Sequence, residues 1–171
     1  ARALGARLAI QRQDEGEAGT GAPVSLSPPS LLGLAPEEIV VLPSPNGSTL
    51  ATLAGTRPTL CGCLRNGPAV ARHARALAAA AGDATVTLVA AGERWSSGSL
   101  RPALEDWLGA GALAREIGGH LSPDAMAAAD AFNGAREQLA ARLAATPSGR
   151  ELIDLGYRTD VDFAARFAVS Q

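Results

Sequence analysis

The chain has 171 residues, the size of one domain with room for a sizeable core, and a formal charge of -2 with a pI near 5.7. That balance lacks the concentrated positive field that a nucleic-acid or anionic membrane surface needs, so neither is an expected partner. Hydrophobic residues make up 47%, yet 37 residues are alanine and six are aromatic, so the core must be built by close approach of small side chains. All 15 basic residues are arginine, so arginine must supply any side-chain positive charge.

In chain order, the opening ARALGARLAI spaces Arg2 and Arg7 between Ala3, Leu4 and Leu8. This predicts a helix entered without a capping residue, as if more chain preceded it, and not the apolar core of a secretory signal. No run approaches the ~18 apolar residues of a membrane span, and a soluble, cytoplasmic protein is expected. Residues 11–30 are polar and rich in Gly, Ser and Pro and read as a loop or mobile connection. A strand–loop–helix unit then recurs. Ile39-Val40-Val41-Leu42 predicts a strand, followed by a loop through Ser48 and a helix from Thr49 to Leu53. Residues 59–64 predict a second strand, Arg65-Asn66-Gly67-Pro68 its loop, and residues 69–81 an alanine-rich helix stopped by Gly82. Residues 85–90 predict a third strand, leading through Gly92-Glu93-Arg94 to a helix over residues 100–114 with Ser99 as its cap. Helices follow from Ser122 to Ala145, from Ser148 to Leu155, and from Thr159 or Asp160 to Phe167. Apolar strands without alternation, separated by helices, predict one α/β domain over residues 1–171: a three-layer α/β/α arrangement with a mainly parallel sheet and a helical C-terminal third.

Ligands of open parallel sheets bind where strands run into helices. Asn46-Gly47-Ser48-Thr49 offers a glycine, two hydroxyls and helix-start amides to an anion; the ordinary alternative is an Asn-Gly turn with Ser48 as cap. It is not a Walker loop, since neither the glycine spacing nor the lysine is present. Arg65 could grip a phosphate or sulfonate with two prongs, or could serve as a surface ion-pair partner. Glu105-Asp106 are adjacent carboxylates about 100° apart on a helix, so one faces solvent while the other remains a candidate ligand for a hard cation. Asp160 opens a helix, where capping is the ordinary explanation. His73 and His120 show no metal spacing, Ser99 and Ser148 lack the nucleophile elbow, and Trp95 and Trp107 suit packing. Cys61 and Cys63 lie too close to bridge well, and both are expected reduced and buried.

Taken in order, these segments resemble the 2-phosphosulfolactate phosphatase family, magnesium-dependent phosphatases of the coenzyme M pathway. Ser44-Pro45-Asn46-Gly47-Ser48 resembles its Thr-Asn-Gly-Thr loop, Asn66-Gly67-Pro68-Ala69-Val70-Ala71 its Asn-Ala-x-Ala-Val-Ala segment, and Leu104-Glu105-Asp106 with Gly109-Ala110-Gly111-Ala112 its Glu-Asp then Ala-Gly-Ala segment. Strand residues 86–92 resemble its strand ending in Ala-Gly, and Leu155-Gly156-Tyr157 with Asp160-Val161 its closing motif. The resemblance covers about residues 21–167. It implies hydrolysis of 2-phospho-3-sulfolactate, or another small phosphorylated acidic metabolite, to phosphate, with Asp106 and Asp160 as catalytic candidates. Glu105, Asp106 and Asp160 would hold Mg2+, while Asn46, Gly47, Ser48, Arg65 and Asn66 would hold phosphate or sulfonate oxygens; Arg94 is a second source of positive charge. A homo-oligomer is compatible with this reading. Two departures stand out. The family's opening Asp-Val-x-Arg-Ala strand has no counterpart, which suggests the later part of a larger domain. Its Gly-Phe-Asp-x-Gly-Asn-Ser-Pro loop aligns with residues 21–28, where Pro23 replaces the acid and Leu26 the amide. These departures motivate an alternative: a family member that keeps the anion site without the chemistry and acts in metabolite binding or assembly.

Overall fold

A computed structural model describes residues 5–14, 24–82 and 84–170. The expectations for Arg2, Ala3, Leu4 and Pro23 lie outside these residues. The chain divides into two compact units, residues 1–53 and residues 54–171. The described residues are 53% helical, and the strands among them are four two-residue pieces, so helix packing carries most of the described structure.

In the first unit β1 (Arg7–Leu8) runs parallel to β2 (Val40–Val41), with Arg7 opposite Val40 and Leu8 opposite Val41. The Arg7 amide donates to the Ile39 carbonyl at 2.9 Å and the Ala9 amide to Val41 at 3.0 Å. Arg7 and Leu8 are therefore strand residues and not the helix their spacing predicts. An apolar pattern in so short a stretch is compatible with either period, and the β-branched Val40-Val41 partner decides it. Across the edge, Arg7 pairs with Glu38 at 2.9 Å. Glu38 also accepts from the Ala35 amide at 2.8 Å, and these two bonds, the backbone one foremost, hold its carboxyl below the usual range. Residues 24–31, read above within a loop, are ordered by hydroxyls. Ile10 bridges Ser25 in parallel, Ser25 is fully buried, and Ser30 Oγ donates to the Ser27 carbonyl at 2.7 Å while accepting from the Ser25 amide at 3.1 Å. A single turn of 3-10 helix, Pro28–Leu31, closes the segment. Helix α1 (Pro45–Ala54) begins earlier than predicted because Pro45 is tolerated in a first turn and Ser48 donates its hydroxyl to the Ser44 carbonyl.

The second unit holds α2 (Gly67–Ala80), α3 (Leu104–Ile117), α4 (Pro123–Ala135), α5 (Leu139–Ala145), α6 (Pro147–Asp154) and α7 (Arg158–Ala164). Helix α2 ends where predicted, with Gly82 at φ +74° in the left-handed region that favours glycine. Helix α3 starts at Leu104 and not near residue 100, because Pro102 disfavours helical backbone at Arg101. Leu100 and Arg101 instead form β4 (Leu100–Arg101), antiparallel to β3 (Glu93–Arg94), and Ser99 sits in the connecting turn, its carbonyl accepting from the Trp95 amide at 2.9 Å. The predicted helix from Ser122 breaks at a 3-10 turn, Arg136–Gln138, that separates α4 from α5. Ser122, predicted as a helix start, is the cap of α4 and accepts from the Ala125 amide at 3.3 Å. Helix α6 is capped by Thr146, not Ser148: Pro147 takes the first helical position, and the Thr146 hydroxyl accepts from the Gly149 amide at 3.0 Å while donating to Leu143 at 2.8 Å. Thr146 is buried, so Thr146→Ala should cost about 1–2 kcal/mol, read as a lowered denaturation midpoint at unchanged slope.

The core of this unit gathers Leu64, Leu108, Ala112, Phe132, Leu139, Leu143 and Val161, with Phe132 fully buried and 5.1 Å from Phe167 ring to ring. The alanine and glycine excess has a local use, since α3 lies against α4 at Gly111, where a Cβ would stand 2.0 Å from the Ala128 carbonyl oxygen. The segments predicted as the second and third strands, residues 59–64 and 85–90, join no ladder among the described residues; residues 59–63 and 84–90 run without regular structure. Leu60, Val86 and Val89 remain exposed, because β-branched composition favours an extended chain while strand hydrogen bonds need a partner. Among the described residues the structure therefore has α/β elements, one parallel and one antiparallel pair of short strands, and a helical C-terminal part. Cys61 and Cys63 are free, as expected, but exposed and not buried. No helix of the described residues is long and apolar enough to cross a membrane.

Candidate active site

A cluster of charged groups lies where the 84–90 segment turns into the β3–β4 hairpin and α3 begins. Gly92 makes that turn at φ +67°, and a Cβ there would stand 2.9 Å from Leu100 Cδ1, so the position suits glycine on two counts. Its amide donates to Asp106 Oδ2 at 2.7 Å. Asp106 is half-buried in the first turn of α3. Burial is the foremost cause that pushes its carboxyl above the usual range; the Gly92 amide opposes the rise, and neighbouring Glu105 and Glu93 reinforce it. Glu105 brings a different chemistry. Its Oε2 is the one buried side-chain oxygen among the described residues with no hydrogen-bond partner. A buried carboxylate oxygen left unsatisfied is costly, and a cation is one group that would satisfy it.

Arg101 sits at the centre of the surrounding acids. It grips Glu151 with both prongs, at 2.8 and 3.2 Å, and lies 3.3 Å from Glu93. Its guanidinium also faces the Trp95 ring at 5.0 Å. The Glu151 hydrogen bond is the main cause that holds Arg101 further in its charged form, with the fields of Glu93 and Glu105 adding to it. One guanidinium thus offsets several carboxylates and fixes the hairpin against α6. Sequence reading finds Glu105, Asp106 and the Gly92-Glu93 turn, but not Arg101 or Glu151. The partner lies 50 positions away, and the available signal is the extended backbone that Pro102 requires at Arg101.

The other predicted residues are placed as follows. Arg65 donates from Nη1 to the Phe163 carbonyl at 2.8 Å and stacks 3.6 Å above the Phe163 ring, while its own carbonyl accepts from the Val169 and Ser170 amides. Asn66 accepts from the Cys63 amide at 2.7 Å and donates to the Cys61 carbonyl at 3.1 Å, closing the turn before α2. Both side chains therefore have structural partners in the second unit. Asn46, Gly47 and Ser48 occupy the first turn of α1, in the first unit. A Cβ at Gly47 would meet only Ser44 Oγ, at 3.6 Å. Arg94 donates to the Gly98 carbonyl within the hairpin turn at 2.8 Å. Asp160 is buried in the first turn of α7, where its amide donates to the Tyr157 carbonyl at 3.0 Å.

Among the described residues no three His, Cys, Asp or Glu side chains converge as a metal site, so Glu105, Asp106 and Asp160 do not form one cluster. The pair Glu105 and Asp106 still fits a magnesium ion in kind. That cation commonly takes one or two carboxylates and completes its shell with waters and substrate phosphate, and Glu105 Oε2 is a buried donor without a partner.

The start of α3 thus brings two carboxylates beside a glycine turn at the end of the 84–90 segment, with Arg101 close by to balance their charge. The family model for 2-phosphosulpholactate phosphatase matches residues 14–171, nearly the whole chain. The chain belongs to the 2-phosphosulpholactate phosphatase family and is a phosphoric monoester hydrolase by that membership. No curated protein and no solved structure matches it.

Proposed function

We propose that the chain is a Mg2+-dependent phosphatase of a small acidic metabolite, by family 2-phospho-3-sulfolactate, with its chemistry centred on Asp106 and Glu105. The observation that carries this reading is the juxtaposition at the start of α3: a half-buried Asp106 carboxyl shifted upward and a Glu105 oxygen buried without a partner. Bound Mg2+ would be held by Glu105, whose Oε2 lacks a partner, and would neutralise phosphate charge, which leaves Asp106 for the proton. Phosphoryl transfer asks mainly for positioning and charge stabilisation, which a fixed carboxylate pair at a helix start supports. Asp106, whose raised pKa suits proton transfer, holds or releases the proton at Oδ1 while Oδ2 keeps the Gly92 hydrogen bond. Asn46, Gly47 and Ser48, at the amide-rich start of α1 in the first unit, offer donors of the kind that suit phosphate or sulfonate oxygens, and Asp160 is a further acid of the second unit. Arg65 and Asn66 can bind such oxygens only by exchanging their present partners for them. We also infer that the family domain is three-layered; the apolar segments 59–63 and 84–90 support this, being of strand composition and joining no ladder among the described residues. A soluble cytoplasmic enzyme fits the charge and composition.

The reading is tested by phosphate release from a panel of small phosphomonoesters, with Mg2+ and with EDTA. Release that needs Mg2+ and favours esters carrying a second anionic group is expected. No Mg2+-dependent release from any member overturns it. That result would leave the alternative that the replacement of the family's acid and amide by Pro23 and Leu26 motivates: an anion-binding protein without turnover.

A further inference from the structure

Three arginines converge away from the carboxylate centre. Arg115 in the last turn of α3, Arg136 in the 3-10 turn after α4, and Arg142 in α5 line one cleft of about 360 Å³, together with Asn133, Gln138 and Glu137. Among the described residues none of the three forms an ion pair with a carboxylate; Arg136 rests 5.4 Å above the Phe167 ring. A cation near a helix C-terminus is favoured by the helix dipole, which explains an arginine on α3 and one on α5 separately. It does not explain why three elements each line one concavity with an arginine while that concavity holds a single acid. The break between α4 and α5 contributes to the concavity, since it replaces one long helix with a turn whose Arg136, Glu137 and Gln138 all line it.

We propose that this cleft binds a small metabolite bearing two or more anionic groups, at a site separate from the catalytic one. Three fork-shaped donors match phosphate, sulfonate or carboxylate oxygens in pairs, and the Asn133 and Gln138 amides add neutral donors. The cleft is the size of a small molecule, and a chain of net charge -2 presents no extended basic face to a polymer. Arg115 stands ten residues from Glu105 on the same helix, about 15 Å along its axis, so occupancy of the two sites is independent in space.

The test is binding, not turnover, so it stands apart from the phosphatase reading. Pyrophosphate and citrate are titrated in EDTA at constant ionic strength, and binding is followed by calorimetry and thermal shift. Saturable binding of one or both is expected, and the ranking of the two says whether phosphate or carboxylate oxygens are preferred. The double variant Arg115→Gln, Arg142→Gln should weaken it at least about tenfold, Glu137→Gln should tighten it, and Asp106→Asn should leave it unchanged. All three arginines are exposed, and their replacement leaves the core intact. Absence of saturable binding overturns the proposal. So does binding that Asp106→Asn abolishes, or heparin or an oligonucleotide binding more tightly than either small anion.

Discussion

Gly111→Val should cost about 3 kcal/mol or more, a large part of the stability of a domain this size, and leave the protein partly unfolded at 37 °C. The first atom added at Gly111 falls 2.0 Å from the Ala128 carbonyl oxygen and 2.5 Å from its carbon. Both are backbone atoms of α4, so no rotamer change relieves the clash and the two helices must separate. Separation opens a close small-residue contact of a core that has few large side chains to fill the gap. Valine adds a β-branched penalty within the helix. Gly109→Ala is the matched control: a Cβ there meets nothing beyond its own helix, so the substitution should be neutral or gain up to about 1 kcal/mol. Urea denaturation of the two variants beside the wild type checks the pair; equal midpoints would contradict the close approach of α3 and α4.

Asp106→Asn should lower kcat for phosphate release at least about a hundredfold while leaving the fold intact, the size expected for loss of a proton-transfer group. The side-chain amide oxygen that replaces the carboxylate can still accept from the Gly92 amide, so the turn is preserved. The stability effect has a definite sign. Asp106 has a raised pKa in the folded state, so folding favours its protonated form. The favourable contribution is complete at pH below the ordinary aspartate value and is lost as pH rises through the folded pKa. Above the folded pKa the wild type carries a partly buried, ionised carboxylate at a cost in stability, and the variant does not. Asp106→Asn should therefore be as stable as the wild type in acid and more stable at pH above that pKa. Thermal melts across that range, paired with kinetics, separate a catalytic defect from a folding defect. A variant that loses activity only in step with stability would contradict the role assigned to Asp106.

The helices are the readable part of this chain because their signals are local. Ser122 and Gly82 behave as their residue types predict, whereas the start of α3 shifts from residue 100 to Leu104 under the influence of Pro102. Thr146 displaces Ser148 as a cap only because Pro147 fits the first helical position, a signal one residue away. The strands are less readable because a ladder depends on a partner elsewhere. Leu8 pairs with Val41, 33 positions on, while the equally β-branched residues 85–90 join no ladder among the described residues. The same distinction runs through the site. Two adjacent acids are visible in sequence, but the amide of Gly92 that holds one, the burial that isolates an oxygen of the other, and the Arg101–Glu151 pair that balances them are tertiary facts. Arg65 illustrates the converse: its position after an apolar run suggests an anion ligand, and its geometry shows a stacked tie to Phe163.

The most direct test of the account is phosphate release from 2-phospho-3-sulfolactate by the wild-type protein, at saturating substrate, with Mg2+ and after its removal by EDTA. The account predicts sustained turnover that stops on chelation and returns when Mg2+ is restored. Release that is indifferent to Mg2+, or no release from a folded protein that still binds the substrate, would contradict it.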